Sequence, residues 1–378
     1  MTGARRHIDK LWLMGLLLVL LTACSSSNDE EQDFENLVLK FYVYSPERPM
    51  ITRGAADDVS PLAGENDIHS LQIWVFEHDA NRLVGYLKPD TYPTAGQGVE
   101  YQMPASKWFS QADVKPNVDV YVVANAAAAG LSSLDESSTR EDLDDAKIGS
   151  EYFGVGAPVS TFTQGLPMSG VLRDKSITGT RPIFTVRDGD AMARVRLLRA
   201  VSKVRFVFCR KPSGDPVSIT NITIDGNMIP KEEYIFLTDK SYHIGNEYEP
   251  SSATLMTTAT GDIKHCDDPL DYAYNNQTSQ EYETLIDKGV SKNKLTQVGP
   301  FYFKETDKYV SGKISFKVGN SPTYTTPFCM SVADINKRFI RNHSWIVYAY
   351  YDLHELIVLT CEVLPWDEVQ TTDIDVGL

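Results

Sequence analysis

Leu37-Val38-Leu39-Lys40-Phe41-Tyr42-Val43-Tyr44 alternates its side chains along the run, with Leu37, Leu39, Phe41 and Val43 on one face. A period of two built from β-branched and aromatic residues predicts a strand with one buried face. The strand stops abruptly: Pro46 and Pro49 come next, then the turn-prone run Thr52-Arg53-Gly54-Ala55-Ala56-Asp57-Asp58. Only at 68–76 does the apolar pattern restart. A strand placed between a polar tether and an exposed basic loop can be cut away without dismantling the rest of the chain, because nicking favours such loops. Its loss leaves an open apolar groove.

Outward from this stretch the same pattern dominates. Strands are expected over 37–44, 70–76, 118–124, 183–186, 194–208, 219–224, 309–318, 345–351 and 357–364, with short helices near 138–146 and 332–338. No long segment carries the 3.6-residue period of a helix. Many short strands separated by Gly, Pro, Asn and Asp predict an all-β chain of two β-sandwiches in tandem. The turn cluster Lys211-Pro212-Ser213-Gly214-Asp215-Pro216 sets the boundary near residue 200.

Towards the N-terminus, Leu21-Thr22-Ala23-Cys24 closes an apolar run from Leu11 that comes after Arg5, Arg6 and Lys10. That order of elements is a secretory signal, too short for a spanning helix. The cysteine at the cut resembles the lipobox of bacterial lipoproteins, whose thiol is acylated and whose leader is removed before it. An ordinary signal peptide with a chance cysteine is the alternative. The acidic run Ser25-Ser26-Ser27-Asn28-Asp29-Glu30-Glu31 cannot bury anything and reads as a solvated tether. A similar stretch marks surface export in Bacteroidetes lipoproteins.

The formal charge of −15 and the absence of a Lys/Arg cluster disfavour nucleic acid or an anionic membrane surface as a partner. Besides Cys24, the cysteines are Cys209, Cys266, Cys329 and Cys361, with no CxxC pair. They read either as disulfides, which export permits, or as free buried thiols.

Catalytic patterns are missing. His354-Glu355 has no second histidine four positions on, and GxSxG, P-loop and strand-linked GxGxxG motifs do not occur. His265-Cys266 would point to opposite faces of an extended chain. Asp144-Asp145 and Asp267-Asp268 lack calcium-loop spacing. The reading is a protein without catalysis, cofactor or metal. Beyond Pro365-Trp366, a tail over 367–378 alternates Ile374, Val376 and Leu378 with Asp373, Asp375 and Gly377. Such a tail suits strand addition to a neighbour, or is a frayed end or last edge strand.

Several pieces together resemble the fimbrillin family of Bacteroidetes surface fimbriae. They are Thr52-Arg53-Gly54 with Ile68-His69-Ser70-Leu71-Gln72-Ile73-Trp74-Val75-Phe76 after it, then Leu166-Pro167-Met168-Ser169-Gly170 and Arg199-Ala200-Val201-Ser202-Lys203-Val204. Phe301-Tyr302-Phe303-Lys304-Glu305, Arg341-Asn342-His343-Ser344-Trp345 and Leu364-Pro365-Trp366 complete the order. The resemblance implies two transthyretin-like sandwiches and an outer-membrane lipoprotein precursor. It also implies cleavage between Arg53 and Gly54 by an arginine-specific protease, loss of strand 37–44, and its replacement by a donor strand from another fimbrial subunit.

On that reading residues 1–23 are leader, 24–53 tether and removable strand, 54–200 and 201–366 the two sandwiches, and 367–378 the candidate donor. A surface ligand on a host or bacterial cell is a further expected partner. Alternatives are an anchor subunit that keeps lipid and first strand, or a non-polymerising surface lipoprotein that stacks sugars on exposed tyrosines and Trp108.

Overall fold

The opening strand is built into the middle of a sheet. In the computed structural model, which describes residues 37–46, 64–153, 165–237, 247–256, 258–265, 296–330 and 341–365, strand β1 spans Val38–Tyr44. Leu37, Leu39, Phe41 and Val43 are buried while the intervening side chains stay half-exposed. The first unit continues with β2 (Leu71–Glu77), β3 (Leu83–Leu87), β4 (Gly98–Pro104), β5 (Val118–Ala124), β6 (Lys147–Ile148) and β7 (Met168–Thr180). Then come β8 (Ile183–Asp188), β9 (Ala191–Met192), β10 (Arg194–Arg196) and β11 (Leu198–Arg199).

One face of this unit is β4, β1 and the β8–β10 run, and the other is β3, β2, β5 and the first part of β7. β7 serves both: its residues 168–175 pair with β5 and 176–180 pair with β8. The corner falls where Asp174 takes a left-handed φ of 53° and its N–H donates to Asp119 at 2.8 Å. Asx residues tolerate that conformation better than others, which fits an aspartate at the bend. Both faces bury their inner side chains in one apolar cluster that includes Phe41, Trp74, Tyr121 and Phe109.

The second unit comprises β12 (Ser202–Arg210), β13 (Val217–Ile224), β14 (Glu233–Tyr234), β15 (Ala253–Thr254) and β16 (Thr296–Phe303). It ends with β17 (Val310–Val318), β18 (Tyr324–Met330), β19 (His343–Tyr351) and β20 (Leu356–Pro365). Two four-stranded sheets, ordered β16-β12-β19-β20 and β15-β13-β17-β18, face each other over a separate core around Phe206, Phe316 and Trp345. β14 reaches back to pair with β6. The chain is therefore all-β with sheets packed as sandwiches, as the strand pattern predicts.

Two local expectations are corrected or refined. The apolar stretch 194–208 is not one strand: its parts pair in turn with β1, with β7, and then with β16 and β19. Leu197, Ala200 and Val201 are buried at the breaks, so burial without pairing keeps the run apolar. The helix near 138–146 shortens to Arg140–Asp144, started by a capping box between Thr139 and Asp142. The helix expected near 332–338 lies outside the described residues.

Within β17, Gly312 lies against β13, and a Cβ there would overlap the Thr223 carbonyl and the Phe328 ring. Gly312→Ala is expected to cost about 1–3 kcal/mol. Chemical denaturation of the uncut chain measures it.

Candidate strand-exchange groove and domain junction

β1 has two walls. Along one side all seven of its residues pair antiparallel with β4, from Val38 opposite Pro104 to Tyr44 opposite Gly98. Along the other it runs parallel to β8 through residues 38–40 and to β10 through residues 42–44. Further backbone bonds extend both ladders: Val38 donates to Pro182 and Tyr42 to Ala193, both at 2.9 Å, and Leu197 donates to the Tyr44 carbonyl at 2.9 Å. Pairing on both edges makes β1 an interior strand, and among the described residues β4 pairs with no other strand.

Four inward side chains of this kind are each worth about 1.5–3 kcal/mol when fully buried. Together they amount to roughly 10 kcal/mol, comparable with the whole stability of an ordinary domain at about 5–15 kcal/mol. A unit without β1 or a substitute therefore has an unfilled core, and the slot demands an occupant.

Outward, β1 carries Val38, Lys40, Tyr42 and Tyr44. Lys40 reaches Glu100 on β4 at 3.1 Å, and Tyr44 lies over Gly98, where any Cβ would collide with its ring. The phenol of Tyr101 donates to the Thr91 carbonyl at 2.7 Å, and burial pushes it up to about 12.

The chain on either side of residues 47–63 is fastened separately. Upstream, Ser45 donates to the Gln97 carbonyl and Gly96 to that of Pro46. Downstream, Glu65 and Asn66 are locked into the junction between the two units. Both carboxylate oxygens of Glu65 accept from Lys203 Nζ, at 3.1 and 2.9 Å, and both side chains are fully buried. The Tyr302 hydroxyl also donates to Glu65. Arg199 donates to Asn66 and, at 2.9 Å, to Asn342.

Beside this, Arg341 donates to Glu233 at 2.6 Å, to Glu305 at 2.9 Å and to the carbonyls of Tyr234 and Ile235. Ser169 shares the Ile235 carbonyl, and Ala200 donates to that of Pro167. Burial pushes the Lys203 ammonium down to about 7, and Glu65 is the charge that opposes the shift. Burial likewise pushes the Glu233 carboxyl up, against the pull of Arg341. Lys203 and Arg341 are each tied to a carboxylate, because an isolated charge would not stay ionised out of water.

The pieces Leu166–Gly170, Arg199–Val204, Phe301–Glu305 and Arg341–Trp345, scattered along the sequence, thus meet at this junction. Sequence reading missed Glu65 and Asn66 as its acceptors, and Glu100 and Gly98 as features of the groove. Of the residues singled out in the sequence, Leu37, Leu39, Phe41 and Val43 line the slot. Cys24, Arg53, Gly54, Ile374, Val376 and Leu378 lie outside the described residues, as do the side chains of Cys266 and Cys361. Cys209 is buried on β12 and Cys329 is exposed on β18. Trp108, a candidate sugar platform, has one ring face covered by the Arg82 guanidinium at 3.3 Å and its indole N–H bonded to the Leu83 carbonyl at 3.0 Å. Among the described residues no helix is long and apolar enough to cross a membrane.

A tandem sandwich whose opening strand is an interior, singly tethered element defines the class. Residues 39–220, just under half the chain, match the family described as major fimbrial subunit protein (FimA). The resemblance drawn from its motifs holds there. Comparison with solved structures finds a candidate cell adhesion protein from Parabacteroides distasonis at 15% identity and a TM-score of 0.50, covering 89% of this chain and 99% of the other. That likeness supports the fold.

The tip fimbrial protein Mfa3 from Porphyromonas gingivalis, with a C-terminal truncation, matches at 13% identity and TM-score 0.48, over 87% and 99% of the two chains. The fimbrial anchor protein Mfa2 from the same organism matches at 10% and 0.36, over 87% and 98%. No protein among the curated sequences matches.

Proposed function

We propose that this chain is a structural and adhesive subunit of cell-surface fimbriae. It is exported as a lipoprotein precursor acylated at Cys24, cut between Arg53 and Gly54, and joined to a neighbour by exchange of β1 for a donor strand. It carries no catalysis of its own. The single observation behind this reading is the placement of β1: four buried side chains, two walls of backbone hydrogen bonds, and one covalent link to the body through residues 47–63. A cut in that link turns β1 into a separate peptide, while Glu65 and Asn66 stay bonded at the junction. The tail 367–378 is the segment proposed to enter the groove of another subunit.

The test is proteolysis of the purified chain with an arginine-specific protease. N-terminal sequencing is expected to read from Gly54, with loss of 37–44 and, once other fimbrial subunits are added, a ladder of higher oligomers. A fully trimmed species that stays monomeric, alone and with other fimbrial subunits, overturns assembly. Deleting residues 367–378 is expected to remove the chain's capacity to donate, and unchanged ladders overturn that assignment. Metabolic lipid labelling before and after cleavage separates this subunit from one that keeps its anchor.

A further inference from the structure

Given the strand exchange proposed above, the walls of the groove also restrict which strand it accepts. Its inner wall asks only for apolar side chains at alternate positions, set by Leu37, Leu39, Phe41 and Val43. Its outer rim is more demanding. Glu100 on the β4 wall holds Lys40 at 3.1 Å and is itself braced by the Gln102 amide at 3.3 Å. Two positions on, the missing side chain of Gly98 makes room for the Tyr44 ring, which the Arg194 guanidinium approaches to 5.9 Å from the other wall. An occupant thus meets a carboxylate near position 40 and an aromatic seat at position 44.

The chain's own tail does not meet these terms. Run in the direction of β1 with Ile374, Val376 and Leu378 facing inward, it has two registers that keep all three apolar residues between the places of Leu37 and Val43, and a third that carries Leu378 on to the place of Ser45. With Ile374 at the place of Leu39, Asp375 stands where Lys40 does, beside Glu100, and Thr372 falls in the apolar place of Leu37. With Ile374 at the place of Phe41, Asp375 gains Arg194 as a neighbour, but Asp373 takes the Lys40 position. Thr372 and Gln370 then enter the places of Leu39 and Leu37. With Ile374 at the place of Leu37, Gly377 replaces Lys40 and Glu100 has no counter-charge. No register puts a cation beside Glu100.

We infer that the β1 groove selects a donor strand with a basic residue at the Lys40 position and an aromatic one at the Tyr44 position, supplied by a chain of a different kind. The subunit on this account joins unlike partners on its two sides, its acidic tail serving a groove with a different rim.

Labelled peptides test this on the chain cut after Arg53, read by fluorescence anisotropy as the seated strand is displaced. The probes are residues 36–46, the same peptide with Lys40→Glu, and residues 367–378. Lys40→Glu is expected to weaken binding about tenfold, the loss of one half-exposed ion pair plus a like-charge contact. Glu100→Lys in the protein reverses the order of those two peptides and strengthens the tail peptide several-fold. Equal binding of the first two peptides, or a tail peptide as tight as residues 36–46, overturns the inference while leaving exchange intact. If no peptide enters and the first strand stays seated, the exchange reading itself fails, and the selection with it.

Discussion

Phe41→Ala is expected to destabilise the uncut chain by about 3–5 kcal/mol, the usual cost of emptying a fully buried aromatic site. Phe41 is wholly buried at the centre of β1, between two walls that are held by backbone hydrogen bonds and have little freedom to collapse onto the void. The measurement is urea denaturation, where the midpoint falls while the slope stays constant if the native fold persists. Tyr42→Ala, on the same strand but facing outward, is the control and is expected to cost no more than about 1 kcal/mol. Equal effects at the two positions would show that β1 is not part of the core. After cleavage, Phe41→Ala is also expected to speed release of the strand, because no covalent link then opposes its departure.

Lys203→Met is the second large effect. It leaves the Glu65 carboxylate fully buried, with the Tyr302 hydroxyl but no ammonium beside it, and the expected cost is about 3–5 kcal/mol. Glu65→Gln removes the one charge that opposes the fall in the Lys203 value, so the ammonium titrates lower still. Combining Lys203→Met with Glu65→Leu removes both charges and is expected to recover most of the loss, since an apolar pair of similar volume carries no desolvation cost. A double variant no better than the single one would mean that the junction depends on something other than this pair.

How far the sequence could be read depends on the side chains each element buries. β1 is legible because its inward residues alternate regularly, and β2 and β5 because they are near-continuous apolar runs buried on both faces. β4 and β7 are not: Gly98-Val99-Glu100-Tyr101-Gln102-Met103-Pro104 buries only Tyr101 and Met103, and β7 is largely exposed beyond Gly170. Their strand character comes from the neighbours they pair with. The run 194–208 misleads for the opposite reason, being buried throughout its breaks.

In the site, the slot-lining residues could be named in advance, whereas the Glu65–Lys203 pair spans 138 positions of sequence and carries no local signal. Lys203, Tyr302 and Asn342 stood out only as parts of family motifs. The fold explains their common fate by bringing them to one buried place.

The double wall around β1 also has a mechanical meaning. A strand at the rim of a sheet can be peeled, its hydrogen bonds yielding one after another. β1 is flanked on both sides, and a pull along its axis loads the rungs to β4, β8 and β10 in shear, so they must give way together. Under the strand exchange proposed above, whatever occupies that slot inherits this geometry, and tension applied end to end would meet the joint in its strongest direction.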